Sequence, residues 1–129
     1  HIAPQSNNGS WEATIYENGE LIDTLGNLVL VSKQLNSSLG NRIWAEKRVF
    51  YKIVGAQDQT SANQILSEAA EKNNIRFGDL TQELLQAQKY MPNLIALGSM
   101  NKPWTSDFII TRSRRLYELA WDELINWLE

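Results

Sequence analysis

Residues 25 to 47 read Leu-Gly-Asn-Leu-Val-Leu-Val-Ser-Lys-Gln-Leu-Asn-Ser-Ser-Leu-Gly-Asn-Arg-Ile-Trp-Ala-Glu-Lys, and the reading of this stretch decides the fold. Leu28 to Val31 form a short apolar run just after Gly26-Asn27, which predicts a buried strand entered through a tight turn. Leu39, Ile43, Ala45, Val49 and Phe50 then recur at roughly helical spacing, so a helix is expected with Asn36 near its start and its end toward Gly55. A strand that feeds a helix can hold a polar side chain at a fixed place over a neighbouring strand. The only histidine of the chain, in His1-Ile2-Ala3-Pro4-Gln5, lies upstream and is the candidate for that neighbour.

His1-Ile2-Ala3-Pro4, Asn27-Leu28 and Asn36, nine positions after Asn27, together resemble the motif of the HNH nucleases, also called ββα-metal or His-Me finger nucleases. Leu25-Gly26-Asn27-Leu28, Asn36, Asn41 and Lys47, with Trp104-Thr105, Ile110, Arg112, Leu116 and Ala120 much later, resemble most the C-terminal nuclease domain of GmrSD-type, modification-dependent restriction enzymes. The resemblance is dense over residues 1 to 51 and 104 to 121 and loose between them. It implies an α+β fold, mostly helical, built round a ββα-metal core. It also implies a metal-dependent DNA endonuclease of restriction or phage defence, using Mg2+ or Mn2+.

Composition sets the bounds. At 129 residues and 43% hydrophobic, the chain is expected to be a single domain, residues 1–129, with one core. There is no cysteine, which excludes disulfides and thiolate metal sites. No apolar run reaches a membrane span and no signal-peptide pattern appears, so no membrane partner is expected and a cytoplasmic location is. A formal net charge of −3 argues against a general nucleic-acid coat protein, because phosphate binding is driven by Lys and Arg. Locally the balance differs: four basic residues between Arg42 and Lys52 face the single acid Glu46, and Arg112, Arg114 and Arg115 form a second cluster.

The motif is already under way at His1, so the chain is expected to be a C-terminal fragment of a longer protein whose upstream domain is its partner. Ser6 to Ser10 read as a polar loop, and residues 11 to 25 as a compact excursion between two strands, with Asn18-Gly19 as a turn. Helices are expected from a cap at Ser61 to Asn73-Asn74, from a cap at Thr81 to about Tyr90 with Pro92 closing it, and from Thr105 to the C-terminus. Ile109, Leu116, Ala120, Leu124 and Trp127 are expected on one stripe of that last helix. The five tryptophans are expected to be mostly core.

Phosphodiester hydrolysis with one metal needs a base for the water, a cation on the phosphate and a positive cradle for the backbone. The resemblance makes His1 the base. Imidazole suits that role, since its reference pKa of about 6.5 leaves it mostly neutral at neutral pH; the competing reading of a terminal histidine is a tag remnant or frayed end. Asn36 would offer its amide oxygen to the metal, a donor type suited to magnesium or manganese, or else would serve as a helix N-cap. Asn27 would hold the loop after the first strand and orient His1, or else be a turn residue beside Gly26. Lys47, Arg48 and Arg112, with Asn41 of the same pattern, are the candidates for DNA contacts. Arg112 interrupts an apolar stripe, so it either pairs with a buried carboxylate or carbonyl or reaches an anion. The family's acidic metal ligand precedes the histidine, and its parent chain is expected to carry Asp or Glu there; the lysine that many relatives place three positions after the third-motif residue is Leu39 here. A nuclease-derived module that binds nucleic acid or a protein without cutting is the alternative.

Overall fold

A computed structural model describes residues 1–87 and 91–129. In chain order it has three short 3-10 turns, Ala13–Tyr16, Leu21–Asp23 and Leu25–Asn27. Helices follow: α1 Lys33–Leu39, α2 Trp44–Gly55, α3 Gln59–Lys72, α4 Asp79–Gln86, α5 Pro92–Gly98 and α6 Ser106–Leu128. Among the described residues there is no β-strand, so the expected α+β fold with a ββα core gives way to a helical one. The physical reason lies in what pairs with what. Leu28 is extended (φ −110°, ψ 149°), but Leu30 is 88% exposed and the run from Leu28 to Val31 has no ladder partner among the described residues. Where residues 1 to 4 meet residue 27, Ile2 N–H donates to the Asn27 carbonyl at 2.8 Å. Ala3 bonds instead to the Asn27 side chain through both its N–H and its carbonyl, and no ladder forms among the described residues.

The single helix expected from Asn36 to Ile53 is two helices. Gly40, at φ +47°, closes α1 with its N–H on the Asn36 carbonyl, a conformation that glycine reaches at little cost. Ser32 caps α1 by accepting from Leu35 N–H, so Asn36 sits in the second turn and not at the N-cap. Asp58, not Ser61, caps α3, by accepting from Ser61 N–H at 2.8 Å. Pro92 opens α5 at its first turn, where a missing N–H costs nothing, instead of closing the helix before it. The expected end of that earlier helix near Tyr90 lies outside the described residues.

The chain divides into two compact units, residues 1–30 with 103–129 and residues 31–102. In the first, Ile2, Ala3, Trp11, Ile15, Ile22, Trp104 and Ile109 are buried together with Asn27. Thr105 caps α6 by accepting from Phe108 N–H, and Ser106 N–H, one of the orphan donors of the first turn, reaches Glu12 Oε2 at 3.0 Å. Packing of α6 is confined to its start: Ile109 and Ser113 are buried, whereas Trp121 is 60% and Trp127 79% exposed. The expected stripe is thus apolar but not covered beyond Leu116, and two of the five tryptophans are not core.

In the second unit, α2 is central. Phe50, Tyr51, Ile53 and Val54 are buried, with Phe50 edge-on to Phe77 at 6.0 Å. At the crossing of α2 and α5 the backbones nearly touch: a Cβ on Gly98 would lie 2.6 Å from Lys52 N, and one on Gly55 2.7 Å from Ile95 N. Gly98→Ala is therefore expected to cost about 1–3 kcal/mol, because backbone and not a flexible tip must yield; a urea midpoint equal to that of the parent protein would contradict it. No described helix is long and apolar enough to cross a membrane.

Candidate active site

The first unit is built round one buried amide. Asn27 Oδ1 accepts from Ala3 N–H at 2.9 Å and from Trp104 Nε1–H at 3.1 Å. Its Nδ2 donates to the carbonyls of Ala3 at 2.9 Å and Ile22 at 2.8 Å. An amide side chain has two acceptor and two donor positions, and here all four are used. The network also fixes which way the amide points, since oxygen faces two N–H groups and nitrogen two carbonyls.

Helix α6 holds the turn that carries Asn27. Gly26 N–H donates to Ser113 Oγ at 2.8 Å, and a Cβ on Gly26 would collide with the Ile109 carbonyl oxygen and the Ser113 hydroxyl. The Arg112 guanidinium Nη1 donates to the carbonyls of Leu25 at 3.2 Å, Gly26 at 2.7 Å and Leu28 at 3.0 Å. An arginine breaking an apolar stripe is expected to meet a buried carboxylate or carbonyl or an anion, and the structure shows these three carbonyls. Arg112→Ala is expected to lower stability by about 1–3 kcal/mol through those carbonyls, read as a shift of the urea midpoint. Arg112→Lys should recover part of that loss, because all three bonds leave a single nitrogen and an ammonium also offers three donors from one atom.

His1 lies at the rim of this arrangement. Its Nε2 is 2.8 Å from Asp23 Oδ1, with both side chains partly open to water. Asp23 was not visible as a site residue in the sequence: 22 positions separate the pair, and no periodicity links a carboxylate in a turn to a ring so far upstream.

The other candidates belong to the second unit, and each is described there by itself. Asn36 and Asn41 are exposed, Asn36 on α1 and Asn41 in the link to α2. Arg48 is half-buried and donates from Nη2 to Asn101 Oδ1 at 2.9 Å. Lys47 is 1% exposed, and burial lowers its ammonium to about 8. A signal for that was present: Lys47 shares a helical stripe with Trp44, Phe50, Tyr51 and Val54, the same argument that singled out Arg112. With the folded pKa below the unfolded value of about 10.4, the unfolded chain binds more protons between them. Stability contributed through Lys47 should therefore rise as pH goes from about 8 to about 10.4. Lys47→Met is expected to flatten that rise in urea midpoints measured from pH 7 to 10.

No group of three or more His, Asp or Glu side chains that could hold a metal gathers among the described residues. The Asn36 amide oxygen is exposed, and a hard oxygen of that kind is a donor type that magnesium accepts.

Comparison with curated proteins gave no match. Comparison with protein families gave one over residues 1–119, described as GmrSD restriction endonucleases, C-terminal domain. The chain, with its buried Asn27 clamp and its His1-bearing segment inside the matched region, belongs to that family of restriction-endonuclease C-terminal domains.

Proposed function

We propose that this domain is a metal-dependent endonuclease module that hydrolyses DNA phosphodiester bonds, in restriction or defence against phage. The observation that carries the reading is the placement of the chain's only histidine. It stands 2.8 Å from a carboxylate, on a segment pinned two residues later by a saturated buried amide. A frayed end or tag remnant has no such support. A ring held this way keeps a nitrogen lone pair in a fixed direction, as removing a proton from an attacking water requires.

In this reading His1 takes the proton, and Asn27 acts through the backbone it holds. Asn36 would hold Mg2+ or Mn2+, which when bound supplies positive charge at the scissile phosphate. Arg48, Arg112 and Asn41 are the proposed DNA contacts; Lys47, expected with them, is 1% exposed and is left out of the set. Arg112 is tested by the salt dependence of DNA binding, whose slope drops by about one unit in Arg112→Ala if it meets a phosphate and not otherwise.

The experiment is a nicking assay on supercoiled plasmid with Mg2+ or Mn2+, run beside a chelated control. Metal-dependent relaxed and linear products are expected. The net charge of −3 favours a second reading, a module that binds without cutting; retarded but intact plasmid in the presence of metal would establish it in place of the first.

A further inference from the structure

We propose that Asp23 is the positioning residue for His1: its carboxylate accepts the Nε2–H and so sets the imidazole with its lone pair on Nδ1, the nitrogen that takes the proton. This rests on the hydrolase reading above and names a residue that the motif does not contain.

The geometry behind it starts from Asn27. One amide nitrogen donates both to the Ala3 carbonyl, two residues after His1, and to the Ile22 carbonyl, one residue before Asp23. The backbones that carry the ring and the carboxylate are thus tied to a single buried atom. Asp23 is fixed from its other side as well, since Thr24 closes the turn with its N–H and its hydroxyl on the Leu21 carbonyl, at 3.2 and 2.7 Å. The 2.8 Å approach of Oδ1 to Nε2 follows from two anchored segments rather than from two wandering side chains.

The chemistry then has one sense. A carboxylate can only accept, so the proton between the pair belongs to Nε2. A neutral imidazole with Nε2–H carries its lone pair on Nδ1, and a carboxylate on the opposite nitrogen steadies the charge that forms when Nδ1 is protonated. As a source of stability the pair is minor: ion pairs this open to water contribute little. Its removal should leave the fold alone, which makes Asp23 testable by rate.

The test uses histidine-selective 15N labelling, which reports a single imidazole because the chain has one histidine, together with plasmid cleavage at saturating metal. In the parent protein an Nε2-bound proton protected from exchange is expected, and in Asp23→Ala it should be lost. Asp23→Ala should lower kcat by about 10- to 100-fold, the loss typical of removing an outer partner of a site residue, with KM for DNA unchanged and partial rescue by Asp23→Glu. In a His1→Ala background, Asp23→Ala should cost nothing more, since its effect runs through the ring. An equal further loss in that background, or an Nε2 proton unaltered by Asp23→Ala, would overturn the assignment while cleavage by the parent protein stood. A parent protein that does not cut with metal would instead bring down the hydrolase reading, and the proton-taking role with it.

Discussion

His1→Ala is expected to lower the metal-dependent cleavage rate by about 100- to 10,000-fold, the range over which a positioned general base acts, and to leave the thermal midpoint where it was. The two halves of that expectation come from different parts of the structure. Hydrogen bonds that hold the first segment begin at Ile2 N–H and continue at Ala3, both of which keep their backbone groups when the imidazole is removed. What the ring itself touches at Nε2 is a carboxylate open to water, and exposed pairs contribute little to stability. Turnover and circular-dichroism melting on the same preparation check both halves. A rate within a factor of ten of the parent's would remove His1 from the chemistry, and a matching loss of fold would make it structural.

How much of this could be read from the residues alone depended on the range of the interactions involved. Thr105 as the start of the last helix was legible, because a cap acts within three residues of itself. Asn27 was legible through its fixed step to Asn36, although its four partners, spread from Ala3 to Trp104, were not. The apolar run Leu28 to Val31 misled because periodicity reports which side chains are apolar and says nothing of whether a ladder partner exists. In this fold the segment at Ala3 bonds to the Asn27 side chain, and residues 28 to 31 form no strand. Asn36 was placed at a helix start when Ser32 already held that position; a serine four residues ahead of an asparagine offers two competing caps, and local sequence does not choose between them. The exposed end of α6 escaped for the opposite reason. Its apolar residues follow a helical stripe well, and a stripe is no evidence that something covers it.

Asn27→Ala is expected to be the most damaging single truncation for stability, costing about 4 kcal/mol out of the 5–15 kcal/mol typical of a domain. The substitution strands four groups at once: Ala3 N–H, the Ala3 and Ile22 carbonyls, and Trp104 Nε1–H. Asn27 itself is fully buried, so water reaches these groups only by entering the space left behind, and each unsatisfied group costs about 1–3 kcal/mol. Asn27→Asp separates the network from mere filling of the site. It keeps the shape and the oxygen that faces Ala3 N–H and Trp104 Nε1–H, but puts an acceptor where two carbonyls need a donor. Near neutral pH a buried carboxylate there meets two carbonyl oxygens, which disfavours the charged form and raises its folded pKa above the unfolded value of about 3.9. A raised folded pKa means that the native state binds more protons than the unfolded one, so stability falls as pH rises through and above about 4. The Asn27→Asp protein should thus approach the parent's urea midpoint at acidic pH, where one protonated oxygen can serve one of the two carbonyls, and drop well below it by pH 7. Asn27→Ala should show no such recovery. If both variants stayed within about 1 kcal/mol of the parent at pH 7, the amide would be one contact among many, and the clamp on the two segments that carry His1 and Asp23 would have to be sought elsewhere.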